Sequence, residues 1–202
     1  MTLFSEINEQ PERIKSLLSS QRKHVEKIAA EIQQRGVDYV FLAARGTSDN
    51  AGRYANYLLG AMNGLPLALA TPSLFTYYKK PPMLKNALVI GVSQSGKSPD
   101  IVSVLEEGRR QGCMTLSITN EPNSPLAQKS DFVLDLQAGV EKAVAATKTY
   151  TTELMSMDVA DVMLTTVGSI PPVTVMLPTV LITSNTPAAE DLPPPMVRAE
   201  PS

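Results

Sequence analysis

LVIGVSQSGKSPDIVSVLEEG, residues Leu88–Gly108, opens as an apolar run, breaks into a small polar turn and closes as a helix. Leu88 to Val92 have no polar side, so a strand here predicts a parallel sheet covered by helices on both faces. Ile101, Val104, Leu105 and Gly108 then share one side of a helix over 99–111. Between them stands Ser93-Gln94-Ser95-Gly96-Lys97-Ser98. A strand-to-helix turn leaves the first N–H groups of the helix without intrahelical partners, and these donors with the helix dipole attract anions. Gly96 lets backbone approach a ligand closely, the three serines add hydroxyls, Gln94 an amide and Lys97 a charge. These groups suit a phosphate or a polyhydroxylated sugar. Capping accounts for part of the pattern, because Ser98-Pro99-Asp100 is a strong helix start by itself. Ser98 therefore reads as cap, ligand contact or both, and Lys97 as solvated. A cap requires one serine, not three.

The same rhythm extends outward. Strands are predicted at 38–44, 65–70, 87–92, 113–118 and 132–136, with helices at 49–62, 73–78, 99–111, 125–129 and 147–164 between and after them. Strands and helices in alternation give an α/β chain, a three-layer α/β/α domain on a five-stranded parallel sheet of flavodoxin type. Strand order is not legible, but such sheets bind ligands beyond the carboxyl ends of their strands, at a topological switch point. A second small-polar turn, Arg45-Gly46-Thr47-Ser48, follows the first strand, and two such turns can face one crevice. Neither G-x-G-x-x-G nor G-x-x-x-x-G-K-[ST] occurs, which disfavours dinucleotides and P-loop nucleotides.

Ahead of the sheet, Ile14, Leu17, Leu18, Val25, Ile28, Ala29 and Ile32 predict an amphipathic helix over 11–34, stopped by Gly36. Segment 1–36 is thus expected to pack on a domain spanning 37–168. Residues 169–202 carry half of the 16 prolines and read as a tail, largely disordered. Lys+Arg 18 against Asp+Glu 20 gives a net charge of -2, which argues against nucleic acid as partner. The single cysteine, Cys113, reads as a buried thiol and cannot form an internal disulfide, fitting a cytoplasmic location. With no run of ~18 apolar residues, no membrane span is expected. One His and one Cys cannot supply zinc-site spacing, so neither metal nor cofactor is implied.

Five segments in order carry a resemblance: E-I-N-E-Q-P-E-R-I at 6–14, A-A-R-G-T-S-D-N-A-G at 43–52, S-L-F-T-Y-Y-K at 73–79, S-Q-S-G-K-S at 93–98 and E-K-A-V-A-A-T-K-T-Y-T at 141–151. Over 6 to about 165 the chain resembles the SIS (sugar isomerase) domain family, most of all the first SIS half in the isomerase module of the glutamine–fructose-6-phosphate aminotransferases. The resemblance implies a phosphosugar-binding SIS fold in which Ser93, Gln94, Ser95 and Ser98 hold the phosphate, with Gly96 in the same turn. It places Ser48, with Thr47 and Gly46, at the same site and Val144 against the sugar. The expected ligand is a phosphorylated hexose or hexosamine, fructose 6-phosphate or glucosamine 6-phosphate.

The chain also departs from the family pattern. Lys97 stands where the turn usually has an acid, Arg45 where a cysteine precedes G-T-S, and Ala146 where a serine is usual. Isomerisation needs a base and a ring-opening group, which the family draws from a glutamate, a histidine and a lysine of the second SIS half and the C-terminal tail. The resemblance ends before these, so catalytic residues are not assigned. His24 lies among charges on the first helix, and Glu141 with Lys142 or Lys148 reads more simply as a surface pair than as an acid–base pair. Three expectations follow: a partial or truncated form of such a module needing a second SIS half; a non-catalytic sugar-phosphate sensor or regulatory subunit; or a fragment whose sequence after about 168 is unrelated. Self-association or pairing with a second SIS unit is expected.

Overall fold

Ala87–Val92 forms a strand buried along its whole length, as its doubly apolar sequence requires. The computed structural model describes residues 2–143 and 145–167, without the side chains of 162–167. Val144 and the proline-rich segment 169–202 lie outside the described residues.

Five strands, β1 (Tyr39–Ala43), β2 (Leu67–Leu69), β3 (Ala87–Val92), β4 (Met114–Thr119) and β5 (Phe132–Asp135), form one sheet in the order β2-β1-β3-β4-β5. All four pairings are parallel. The helices are α1 (Leu3–Arg35), α2 (Thr47–Asn63), α3 (Ser73–Thr76), α4 (Pro99–Arg110), α5 (Pro125–Gln128) and α6 (Lys148–Val167). Alternation along the strands sorts the core into two layers. Val40, Leu42, Leu88, Ile90 and Leu116 pack with Val25, Ile28 and Ile32 of α1, Leu59 of α2 and Met157 of α6. Phe41, Val89 and Ala87 pack on the opposite face with Phe75 of α3, Val104 and Leu105 of α4 and Leu126 of α5. The three-layer α/β/α expectation thus stands.

The strand order places β1 beside β3 and sends the chain outward in both directions from that pair, so the switch point lies between them. The 45–48 turn follows β1 and the 93–98 turn follows β3. They therefore open on one crevice.

The first helix departs from its expected start. It begins at Leu3, not residue 11, because Thr2 and Ser5 form a capping box: Ser5 N donates to Thr2 Oγ1 (3.3 Å) and Thr2 N to Ser5 Oγ (2.9 Å). Pro11 lies inside the helix, where its preference for a first helical position makes it read as a start. Among the described residues, no helix is long and apolar enough to cross a membrane.

Candidate functional site

A cavity of about 280 Å³ sits at the carboxyl ends of β1 and β3, lined by Arg45, Thr47, Ser48, Ser93, Gln94, Ser95 and Ser98, with Val92, Ile101, Ala146, Thr149 and Glu153. Six of the residues expected at the site share this wall. Gly46 and Gly96 shape its two turns. Gly46 is the N-cap of α2 at φ 59°, and Gly96 has φ 59°, a backbone region that glycine enters at little cost.

The two helices that follow the 45–48 and 93–98 turns, α2 and α4, lack side-chain caps. α2 starts from a glycine, and the Ser98 side chain makes no capping hydrogen bond to α4. Ser98 is therefore a cap by position only, and its hydroxyl lines the cavity. The starts of α5 and α6, by contrast, are closed: Ser124 Oγ accepts from Ala127 N at the head of α5, and Glu141 Oε1 accepts from Thr147 N (2.9 Å) and Lys148 N (2.8 Å) at the head of α6. The first N–H groups of α2 and α4 thus leave positive potential at the crevice.

The serine hydroxyls are oriented by their own turn. Gly96 N donates to Ser93 Oγ (3.2 Å) and Lys97 N to Ser95 Oγ (3.3 Å). Each oxygen is engaged as an acceptor from the backbone, which leaves its proton to be donated elsewhere. Gln94 Nε2 donates to Glu141 Oε2 at 3.3 Å, tying this turn to the loop before α6. Arg45 reaches Asp100 at 3.8 Å from an exposed position on the cavity wall. Lys97 is exposed.

Glu141 and Lys148 are not a surface pair. Lys148 is fully buried, and its Nζ donates to Glu9 Oε2 (3.0 Å) and to the Val140 carbonyl (2.7 Å). Glu141 is half-buried; desolvation opposes its charge, but hydrogen bonds from Thr149 and Thr147 outweigh it and hold the carboxyl below its usual range. Beside them, buried Glu6 accepts from Lys142 N (2.7 Å) and Ala143 N (3.2 Å), and Ser16 Oγ donates to Gln137 Oε1 (2.9 Å). The 6–14 segment is thus a clamp on the loop that forms one side of the site. His24 is likewise structural, with Nε2 2.9 Å from the Val133 carbonyl oxygen.

Glu153 was not legible as a site residue. It is 1% exposed and accepts from Ser48 Oγ at 2.8 Å. Burial, less the hydrogen bond from Ser48 and reinforced by the Glu141 charge, pushes its carboxyl up to about 7. The quoted 141–151 motif stops two residues short of it; helical spacing from Thr149, four residues earlier on the same face, was the available signal.

A folded-state value above the unfolded 4.5 means that Glu153 binds its proton more tightly when folded. Stability from this group is full below about 4.5 and falls as pH rises to 7, by about 3 kcal/mol in all. Asp161, pushed to about 6 by burial and then by Asp158, acts with the same sign. Chemical denaturation from pH 5 to 7.5 should show the decline, and Glu153→Gln should remove Glu153's share. An identical slope in the variant would contradict the assignment.

The family model described as SIS domain matches residues 35–163. Glutamine–fructose-6-phosphate aminotransferase [isomerizing] of Pectobacterium atrosepticum is 37% identical over 156 residues, covering 74% of this chain and 25% of that protein. The chain thus spans about a quarter of the length of such curated relatives. Among solved structures, the C-terminal domain of glucosamine-fructose-6-phosphate aminotransferase from Francisella tularensis superposes with a TM-score of 0.72 at 29% identity, over 81% of this chain and 47% of that one. The Vibrio vulnificus NanR protein complexed with ManNAc-6P shares the fold, with a TM-score of 0.63 at 18% identity, over 80% of this chain and 60% of that one.

Proposed function

The chain belongs to the SIS domain family, and on that premise we propose that the β1–β3 crevice binds a phosphorylated hexose or hexosamine, fructose 6-phosphate or glucosamine 6-phosphate. The observation that carries this reading is the convergence on one cavity of two uncapped helix starts and the hydroxyls of Ser93 and Ser95, whose oxygens accept from their own turn and whose protons are left to donate. A phosphate dianion accepts from both sets. Thr47, Ser48, Gln94 and Ser98 complete the shell, and Arg45 adds positive charge on its rim. The ManNAc-6P in the NanR complex points to the same ligand class.

Aldose–ketose isomerisation would be the activity of a larger assembly, in which a second SIS unit supplies the base and the ring-opening group. Pairing of this chain with such a unit, or with a second copy, belongs to the same proposal, as does residence in the cytoplasm. Binding without turnover, as in a sugar-phosphate sensor, is a second reading. It is favoured by His24, the single histidine of the chain, being engaged with the Val133 carbonyl and not lining the cavity.

Calorimetric titration with fructose 6-phosphate, glucosamine 6-phosphate and inorganic phosphate tests the site. Saturable binding of a sugar phosphate, tighter than phosphate alone, is expected. Ser93→Ala with Ser95→Ala should weaken it at least a hundredfold, since hydrogen bonds to a charged partner contribute about 1.5–3 kcal/mol each. Ser98→Ala should also weaken binding without lowering stability, because Ser98 makes no capping bond. Unchanged affinity in the double variant would overturn the site. Turnover on mixing with a second SIS unit would decide for the isomerase reading over the sensor.

A further inference from the structure

We propose that Glu153 is a positioning residue whose proton sets the donor direction of Ser48, so that sugar-phosphate binding takes up a proton. This rests on the ligand reading above and deepens it.

The geometry is a matter of counting protons. Ser48 has one hydroxyl proton, and it is donated to Glu153 Oε1 at 2.8 Å. In that state Ser48 presents only lone pairs to the cavity, with an anionic carboxylate behind it, and both repel a phosphate. When Glu153 is protonated, the same contact reverses: the carboxyl O–H donates to Ser48 Oγ. The Ser48 proton is then free to turn towards the ligand. The neutral acid also removes the negative charge from the wall. Both effects favour the anion, so bound phosphate and the proton on Glu153 stabilise one another.

The surrounding groups do not supply a competing switch. From the loop before α6, Glu141 is anionic and raises the cost of ionising Glu153. From the β1–α2 turn, Arg45 lines the cavity but reaches Asp100 of α4 at 3.8 Å. On α2, Asp49 pairs with Arg53, and Tyr54 donates to Asp158 of α6 at 2.7 Å. On α6 itself, Lys148 directs its ammonium to Glu9 of α1 and to the Val140 carbonyl, and Glu6 of α1 holds backbone N–H groups of the loop. The 93–98 turn adds only neutral side chains to the cavity wall. Glu153, pushed up to about 7, is thus the group placed to change charge near neutral pH.

Titration of the full chain with fructose 6-phosphate from pH 6.5 to 8.5 tests the coupling. The sugar phosphate's own ionisation is common to every variant and cancels in the comparison. The parent's affinity should fall about tenfold per pH unit above 7, and enthalpies measured in buffers of different ionisation heat should report about one proton taken up at pH 8. Glu153→Gln, whose amide donates to Ser48 as the neutral acid does, should bind at every pH and lose the slope. Ser48→Ala should bind more weakly and with a reduced slope. A parent that takes up no proton at pH 8 overturns the coupling without recourse to any variant. A slope equal in parent and Glu153→Gln overturns it while leaving the sugar-phosphate site intact; a full slope retained in Ser48→Ala overturns the relay through that hydroxyl. Absence of binding in the parent at every pH overturns the ligand reading itself, and this inference with it.

Discussion

Glu6→Ala is expected to cost about 3 kcal/mol of folding stability and to loosen the loop before α6. The Glu6 side chain is fully buried and accepts from the backbone N–H groups of Lys142 and Ala143, 136 and 137 residues away in sequence. Hydrogen bonds to a charged acceptor contribute about 1.5–3 kcal/mol each, and an alanine removes the acceptor of both donors and leaves a gap where the Glu6 side chain is buried. Glu6→Gln keeps one acceptor oxygen and should lose roughly half as much. Urea denaturation measures the stability, and hydrogen exchange at the 142 and 143 amides measures the loop. A loss below 1 kcal/mol, with exchange unchanged, would show that the loop is held by other contacts. Because Glu141 in the same loop closes the head of α6 and meets Gln94 of the 93–98 turn, sugar-phosphate affinity should fall as well.

Gly96→Ala is expected to lose about 3 kcal/mol and at least tenfold in sugar-phosphate affinity. Two costs combine. A residue with a Cβ at φ 59° pays about 1–2 kcal/mol for the left-handed conformation. The added Cβ would also lie 2.0 Å from Ser124 Oγ and 2.5 Å from Ser124 Cβ, contacts that force the turn or α5 to move. The Gly96 carbonyl accepts from Leu126 N at 3.0 Å, so the displacement passes into α5 and back into the 93–98 turn. Ser124→Gly removes the obstructing side chain, though it also removes the α5 cap. The double variant should therefore be less destabilised than the sum of the singles. Strict additivity in denaturation would show that the clash is not the source of the loss.

The layered fold was legible because its signals are local. Leu88 to Val92 are apolar on both faces, and that pattern alone predicts a strand inside a covered parallel sheet. The two polar turns were legible for the same reason. Strand order was not, since nothing in Tyr39–Ala43 or Leu67–Leu69 names a neighbour. The roles of Glu6, Glu9 and Lys148 were hidden by distance: each meets its partners across the fold, and a charge whose partner is 139 residues away looks solvated in sequence. Pro11 misled in another way, because a residue that favours helix starts also survives inside a helix begun earlier by Thr2. Glu153 combined both difficulties. Its meaning depends on Ser48, 105 residues away, and on burial that no single helical turn reveals.

The contact between His24 and the Val133 carbonyl bears on how the sheet ends. Val133 pairs inward with Ser117 on β4, and its carbonyl on the free side of β5 is occupied by the imidazole. At the other margin, β2 runs for only three residues, Leu67–Leu69. One margin is plugged by a side chain and the other offers a ladder too short to template much pairing, two known defences against edge-to-edge growth. Strand addition, whether by a copy of this chain or by a misfolded neighbour, thus finds little purchase at the described sheet margins, and the pairing proposed above would have to use helical and loop surfaces instead.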